Sequence, residues 1–92
     1  MVAVGNAKYL SNIVIPETYN GKAVTGIAKS GFTGCDKLVS IEIPDSVTSI
    51  GDSAFGGCLS LTIYCEATSK PSGWNYYWNL DNRPVVWGYT AE

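Results

Sequence analysis

Histidine is absent from this 92-residue chain. With it go the commonest metal ligand and the commonest general base. Charge is scarce as well: Lys and Arg together number 6, Asp and Glu 8, for a formal net charge of −2. A nucleic-acid surface needs a basic face, and this composition offers none; nor does it offer an attraction to anionic lipid. The longest apolar runs are a few residues, far short of a bilayer span, so membrane insertion is not expected. Cysteine is limited to Cys35, Cys58 and Cys65, an odd count that makes a poor disulfide framework, and no CxxC occurs. A nucleophile elbow of the GxSxG kind, a GxxxxGK phosphate loop, a DxDxDG calcium loop and an N-glycosylation acceptor are all missing. Glu17, Asp36, Asp45, Asp52 and Glu66 are scattered, whereas a two-carboxylate hydrolase needs a pair flanking a cleft. A short convex stack offers no such cleft. Neither catalysis nor a cofactor is expected.

What is present is a repeat. Val47–Leu61, VTSIGDSAFGGCLSL, has a twin 23 residues upstream, Val24–Leu38, VTGIAKSGFTGCDKL. Eight of the fifteen aligned positions are identical: Val, Thr, Ile, Ser, Phe, Gly, Cys and Leu. A period of this length is the mark of a solenoid, in which each unit buries its apolar face only against a neighbour. The length allows one domain, which by its size buries roughly 60% of its unfolded surface.

Residues 1–12 read as a lead-in segment. Val2 and Val4 alternate with small residues, suggesting an edge strand that shields the open end of the stack. Ile13-Val14-Ile15-Pro16 then recurs as Ile41-Glu42-Ile43-Pro44. The alternation is that of a strand with one buried face, and proline ends it because it has no N–H for the ladder. The first copy carries five extra residues before Val24; Asn20-Gly21 within them predicts a local hairpin. Val24 and Ile27, like Val47 and Ile50, point inward from a second short extended segment. Residues 28–32 and 51–55 each read as one helical turn that drops Phe32 or Phe55 into the interior. Gly34 and Gly57 supply a tight exit with positive φ, and Cys35 and Cys58 fill a small buried slot rather than a redox or metal site. Like sits on like: Phe32 on Phe55, Cys35 on Cys58, Ile27 on Ile50.

A third unit begins at Leu61-Thr62-Ile63-Tyr64-Cys65, with Ile63 and Cys65 in the places of Ile41 and Ile43 after a one-residue deletion and Glu66 in place of the proline, and then departs from the pattern. The composition turns aromatic, with Trp74, Tyr76, Tyr77, Trp78, Trp87 and Tyr89. Trp74 and Trp78 are spaced to share one face of a short helix, and residues 84–89 read as a last strand. The chain thus divides into a lead-in (1–12), a first repeat with its hairpin (13–40), a second repeat (41–62), and a partial repeat with an aromatic cap (63–92). Terminal units of a solenoid are atypical because they close the stack against water.

The pattern IxIPxSVTSIGxxAFxGCxSL, with IPETYNGKAVT in the first copy, resembles the BspA-like, or Treponema-type, leucine-rich repeats. The ending TIYCEATSKPSGWNYYWN with RPVVWGY looks like the carboxyl-terminal cap of such bacterial proteins. The resemblance implies a leucine-rich-repeat solenoid of short β-strands with one short helical turn per repeat, about two full repeats and a terminal cap. It also implies a secreted or surface-attached parent protein, adhesin-like in role, of which this chain would be an end fragment. The opening MVAVGNAKYL lacks the basic stretch and apolar core of a secretory signal. In such repeats the outward strand face commonly meets a protein partner, here Asn12, Val14, Ser40, Glu42, Thr62 and Tyr64. Two other readings stand beside it: a purely structural cap on a longer solenoid, and a glycan site on exposed rings, with Tyr76 and Tyr77 as the exposed members. An uncovered first coil also predicts self-association, as a two-fold dimer, through the region around Met1–Ile15.

Overall fold

A computed structural model of the chain describes residues 11–19 and 21–90. The lead-in strand and most of the proposed dimer region therefore lie outside the described residues. Strands form where isoleucines alternate with outward residues: β1 (Asn12–Val14), β5 (Ser40–Ile43) and β7 (Thr62–Cys65). With β8 (Val85–Trp87) they make a four-stranded parallel sheet in the order β1-β5-β7-β8. The register pairs Ile13 with Ile41, Ile41 with Ile63 and Ile63 with Val85, so one inward column runs through all four strands. Its middle members are fully buried and its end members, Ile13 and Val85, half-buried. The last strand is thus a fourth rung of the same sheet.

The remaining strands are short. β2 (Thr18–Tyr19) and β3 (Lys22–Ala23) form the antiparallel hairpin expected from Asn-Gly, with Gly21 at φ +78°. β4 (Gly26–Ile27) and β6 (Ser49–Ile50) pair in parallel on another side of the coil, and Trp74 adds a bridge to Ile50 there. Ile27, Ile50 and Trp74, all buried, therefore occupy equivalent places in three successive coils.

The expected helical turn is replaced. The described residues contain no helix. Residues 28–38 run through successive turns in which Gly31, Thr33, Cys35 and Leu38 each donate to the carbonyl three residues back. Ser30 and Ser53 break any helical run, because their φ values of 55° and 56° lie in the left-handed region, which few non-glycine residues adopt. The turn backbone looks sideways for its partners. Ser30, Phe32 and Gly34 donate to the carbonyls of Asp52, Ala54 and Gly56 on the next coil. The turns are thereby stacked as regularly as the strands. Trp74, in its bridge to Ile50, and Trp78, in a turn, likewise lie on no helix, yet both are buried and their rings lie 4.8 Å apart.

Phe32 and Phe55 stack at 5.7 Å with ring planes 11° apart, and both are buried. Trp78 meets the edge of Phe55 at 6.4 Å and closes that column. Close packing between coils also sets glycine positions. A side chain at Gly51 would bring a Cβ to 2.5 Å from the Lys29 nitrogen, and one at Gly73 would overlap the Thr48 carbonyl oxygen.

Removing a stacked ring leaves a cavity that neighbouring coils cannot fill. Phe55→Ala is expected to cost about 3–5 kcal/mol in chemical denaturation. Two glycine substitutions should separate strain from contact. Gly34→Ala meets open space but must hold a positive φ, for about 1–2 kcal/mol; Gly73→Ala meets backbone and should lower the denaturation midpoint further.

Candidate functional site

Parallel pairing sets the outward side chains in columns. Asn12, Ser40 and Thr62 form one; Val14, Glu42 and Tyr64 form the other, which Val86 extends. All six residues expected on this face are therefore brought together on one surface. Ser40 Oγ donates to Asn12 Oδ1 at 2.6 Å, which ties the first column across the β1–β5 pair. Tyr64 packs its ring against Tyr89 at 4.9 Å. Val14 is 66% exposed and Val86 41%, so the second column begins and ends on apolar groups in contact with water. Sequence reasoning missed Val86 and Tyr89. The signal for Val86 was available: Pro84–Trp87 repeats the alternation of Thr62–Cys65 at a distance of 22 residues.

Where these strands end, the face opens into a groove of about 220 Å³. Val14, Pro16, Pro44 and Tyr89 give it apolar walls, and Glu17, Glu42 and Glu66 bring carboxylates to it. This corrects the expectation of a stack without a cleft. Glu66 occupies the place held by proline in the earlier coils, and its Oε1 accepts the Asp45 N–H at 2.8 Å. Among the described residues no group of three or more His, Cys, Asp or Glu is placed to hold a metal ion.

The aromatic end divides in two. Trp74 and Trp78 are buried against Trp87, whose ring lies 5.9 and 6.0 Å from theirs, and Trp74 Nε1 donates to the Val47 carbonyl at 3.1 Å. Tyr76 and Tyr77 are exposed, at 85% and 51%, with their rings edge to face at 4.9 Å and 85°. Polar side chains complete the closure. Asp81 Oδ2 accepts the Gly57 N–H at 2.8 Å, where the equivalent Gly34 N–H meets a backbone carbonyl of the next coil. Arg83 Nη1 donates to the Leu59 carbonyl.

All three cysteines are buried thiols. Burial pushes Cys65 up to about 12. Cys58 rises to about 11 through burial, against a lowering by a hydrogen bond from the Cys35 backbone, and its Sγ donates to the Phe32 carbonyl oxygen at 3.1 Å. Protonated, enclosed thiols are poor nucleophiles and poor metal ligands.

Coils stacked in register, a parallel sheet along one side and an ordered outward face define a leucine-rich-repeat solenoid, a kind of scaffold that serves as a protein-interaction module. The family model described as a BspA type leucine-rich repeat region (6 copies) matches residues 4–74, and the chain belongs to that family. It is similar to the T. pallidum leucine-rich repeat protein TpLRR, whose crystal structure it matches with a TM-score of 0.54 and 33% sequence identity. That match covers 65% of this chain and 33% of the other, so the chain spans about a third of its length. No curated protein matches it. Among the described residues no helix is long and apolar enough to cross a membrane.

Two outcomes follow from the closure and the thiols. Asp81→Ala releases the exposed Gly57 N–H to water and should cost about 0.5–1.5 kcal/mol by denaturation. The folded thiols of Cys58 and Cys65 hold their protons above the ordinary value of 9.0. Their contribution is full below that pH and is lost as pH rises toward about 11 and 12, because the unfolded chain then binds fewer protons than the folded one. The urea midpoint should therefore fall as pH rises from about 9 toward about 11, and by less in a Cys58→Ala, Cys65→Ala chain than in the parent.

Proposed function

We propose that the chain is a non-catalytic protein-binding module that docks its partner on the outward face of the parallel sheet, as the end piece of an adhesin-like bacterial surface protein. The observation that carries this is the pair of outward columns on strands whose inward residues alone hold the fold. Side chains presented from such strands are positioned more precisely than those on loops. Exposed Val14 and Val86 at either end of the second column, with Tyr64 between them, supply apolar and aromatic contact of the sort found at interface centres. The family relationship supports the surface location and the interaction role.

The closure at the carboxyl end fits the same reading. Asp81 and the tryptophan cluster terminate the stack, and capping is compatible with a binding face on the adjoining sheet. Tyr76 and Tyr77 are accessible, but their near-perpendicular rings make no flat platform for a sugar, so the glycan reading is the weaker.

Solution binding to a panel of immobilised extracellular-matrix proteins tests the proposal. Val14→Asp combined with Val86→Asp should weaken binding by at least about tenfold, equivalent to about 1.4 kcal/mol, with an unchanged melting temperature. Tyr76→Ala with Tyr77→Ala should bind as the parent does. The opposite pattern would transfer the function to the aromatic end.

A further inference from the structure

The groove at the end of the outward face points to the chemistry of the partner. We infer that it receives a basic side chain, arginine above all, from an extended segment of the bound protein. This rests on the protein-binding reading of the outward face and specifies one contact within it.

Size comes first. At about 220 Å³ the groove is smaller than the roughly 300–1,000 Å³ of sites for whole small molecules, and it suits a single long side chain. Its walls come next. Val14, Pro16, Pro44 and the Tyr89 ring are apolar surface for an alkyl stem, and arginine lays its methylenes along such surface while its charged head seeks polar partners. Charge complementarity is the third point. Glu17, Glu42 and Glu66 all line the groove and, among the described residues, no lysine or arginine does. Among the described residues none of these three carboxylates is held in an ion pair, and the only hydrogen bond to them from this chain is that from the Asp45 N–H to Glu66. A guanidinium offers a planar fork to carboxylates and stacks on an aromatic face, and Tyr89 is braced for this by its contact with Tyr64. The chain's only arginine, Arg83, is committed to the Leu59 carbonyl. The occupant is accordingly another protein's residue.

The test uses the full chain labelled with nitrogen-15 and two blocked tripeptides, acetyl-Gly-Arg-Gly-amide and the same peptide with neutral citrulline in place of arginine. The arginine peptide should shift the amide signals of Val14, Glu42, Glu66 and Tyr89 in a saturable way, with a dissociation constant on the order of 1 mM. Citrulline should bind at least about tenfold more weakly. Glu42→Gln should weaken the arginine peptide several-fold while leaving the rest of the spectrum in place. Equal shifts from both peptides would overturn the choice of a cation and leave the face as a peptide surface. Shifts outside the groove would overturn the groove as the site, again without touching the face. No shift anywhere on the outward face would overturn the inference and count against the face reading as well, and matrix-protein binding by the Val14→Asp, Val86→Asp chain then decides whether that reading also falls.

Discussion

No coil of this chain can bury its own apolar side chains; each depends on contact with the next. Nearly every other feature follows from that dependence. Three isoleucines and a valine fall into register through four strands, phenylalanine lies flat on phenylalanine, and even the turns take their hydrogen bonds from the neighbouring coil. Translation by one coil must return an equivalent environment, so the same residue is favoured at the same place. Gly51 and Gly73 show how tight the stacking is, since the backbone of the preceding coil occupies the space a side chain would need. Burial of this kind is the main favourable contribution in so small a chain, and it is shared between coils rather than owned by any of them.

Much of this was legible in the residues. The isoleucine alternation located β1, β5 and β7, the Asn-Gly pair located the hairpin, and the repeat placed Phe32 over Phe55. Ile63 and Cys65 stand opposite Ile41 and Ile43, in the places the alternation assigns them. Helical turns were the wrong expectation for residues 28–32 and 51–55. The spacing of apolar groups there suits a helix, but Ser30 and Ser53 take a left-handed conformation that spacing does not reveal. The fourth rung at Val85–Trp87 was seen as a strand but not placed in the sheet. The coil before it has traded its aliphatic residues for Trp74 and Trp78, so the pattern that marks the period is gone while the geometry persists.

The outward face was legible because alternation alone assigns it; once inward residues are known, the others face out. The groove was not. It joins residues from the ends of β1 and β5 to Glu66 and to Tyr89 near the other end of the chain. Only the stacking of coils brings such distant positions together. The glutamate at the proline position of the third coil can be read from the residues, but its sharing of a groove with Glu17, Glu42 and Tyr89 cannot. The face and the groove are thus one surface, built on the same strands that hold the core.

The Asp81 carboxylate that receives the Gly57 N–H has a bearing on how such an array changes in length over evolutionary time. A duplicated unit placed between the two matching copies, 24–38 and 47–61, finds backbone carbonyls on one side and amides on the other, and is accommodated like its neighbours. A unit spliced between Gly57 and Asp81 parts a side-chain acceptor from the amide it was shaped to meet, and the new coil has to supply that acceptor from its own backbone. A change in copy number between the matching copies thus keeps the backbone contacts between coils, whereas one at this junction exchanges a side-chain acceptor for a backbone one.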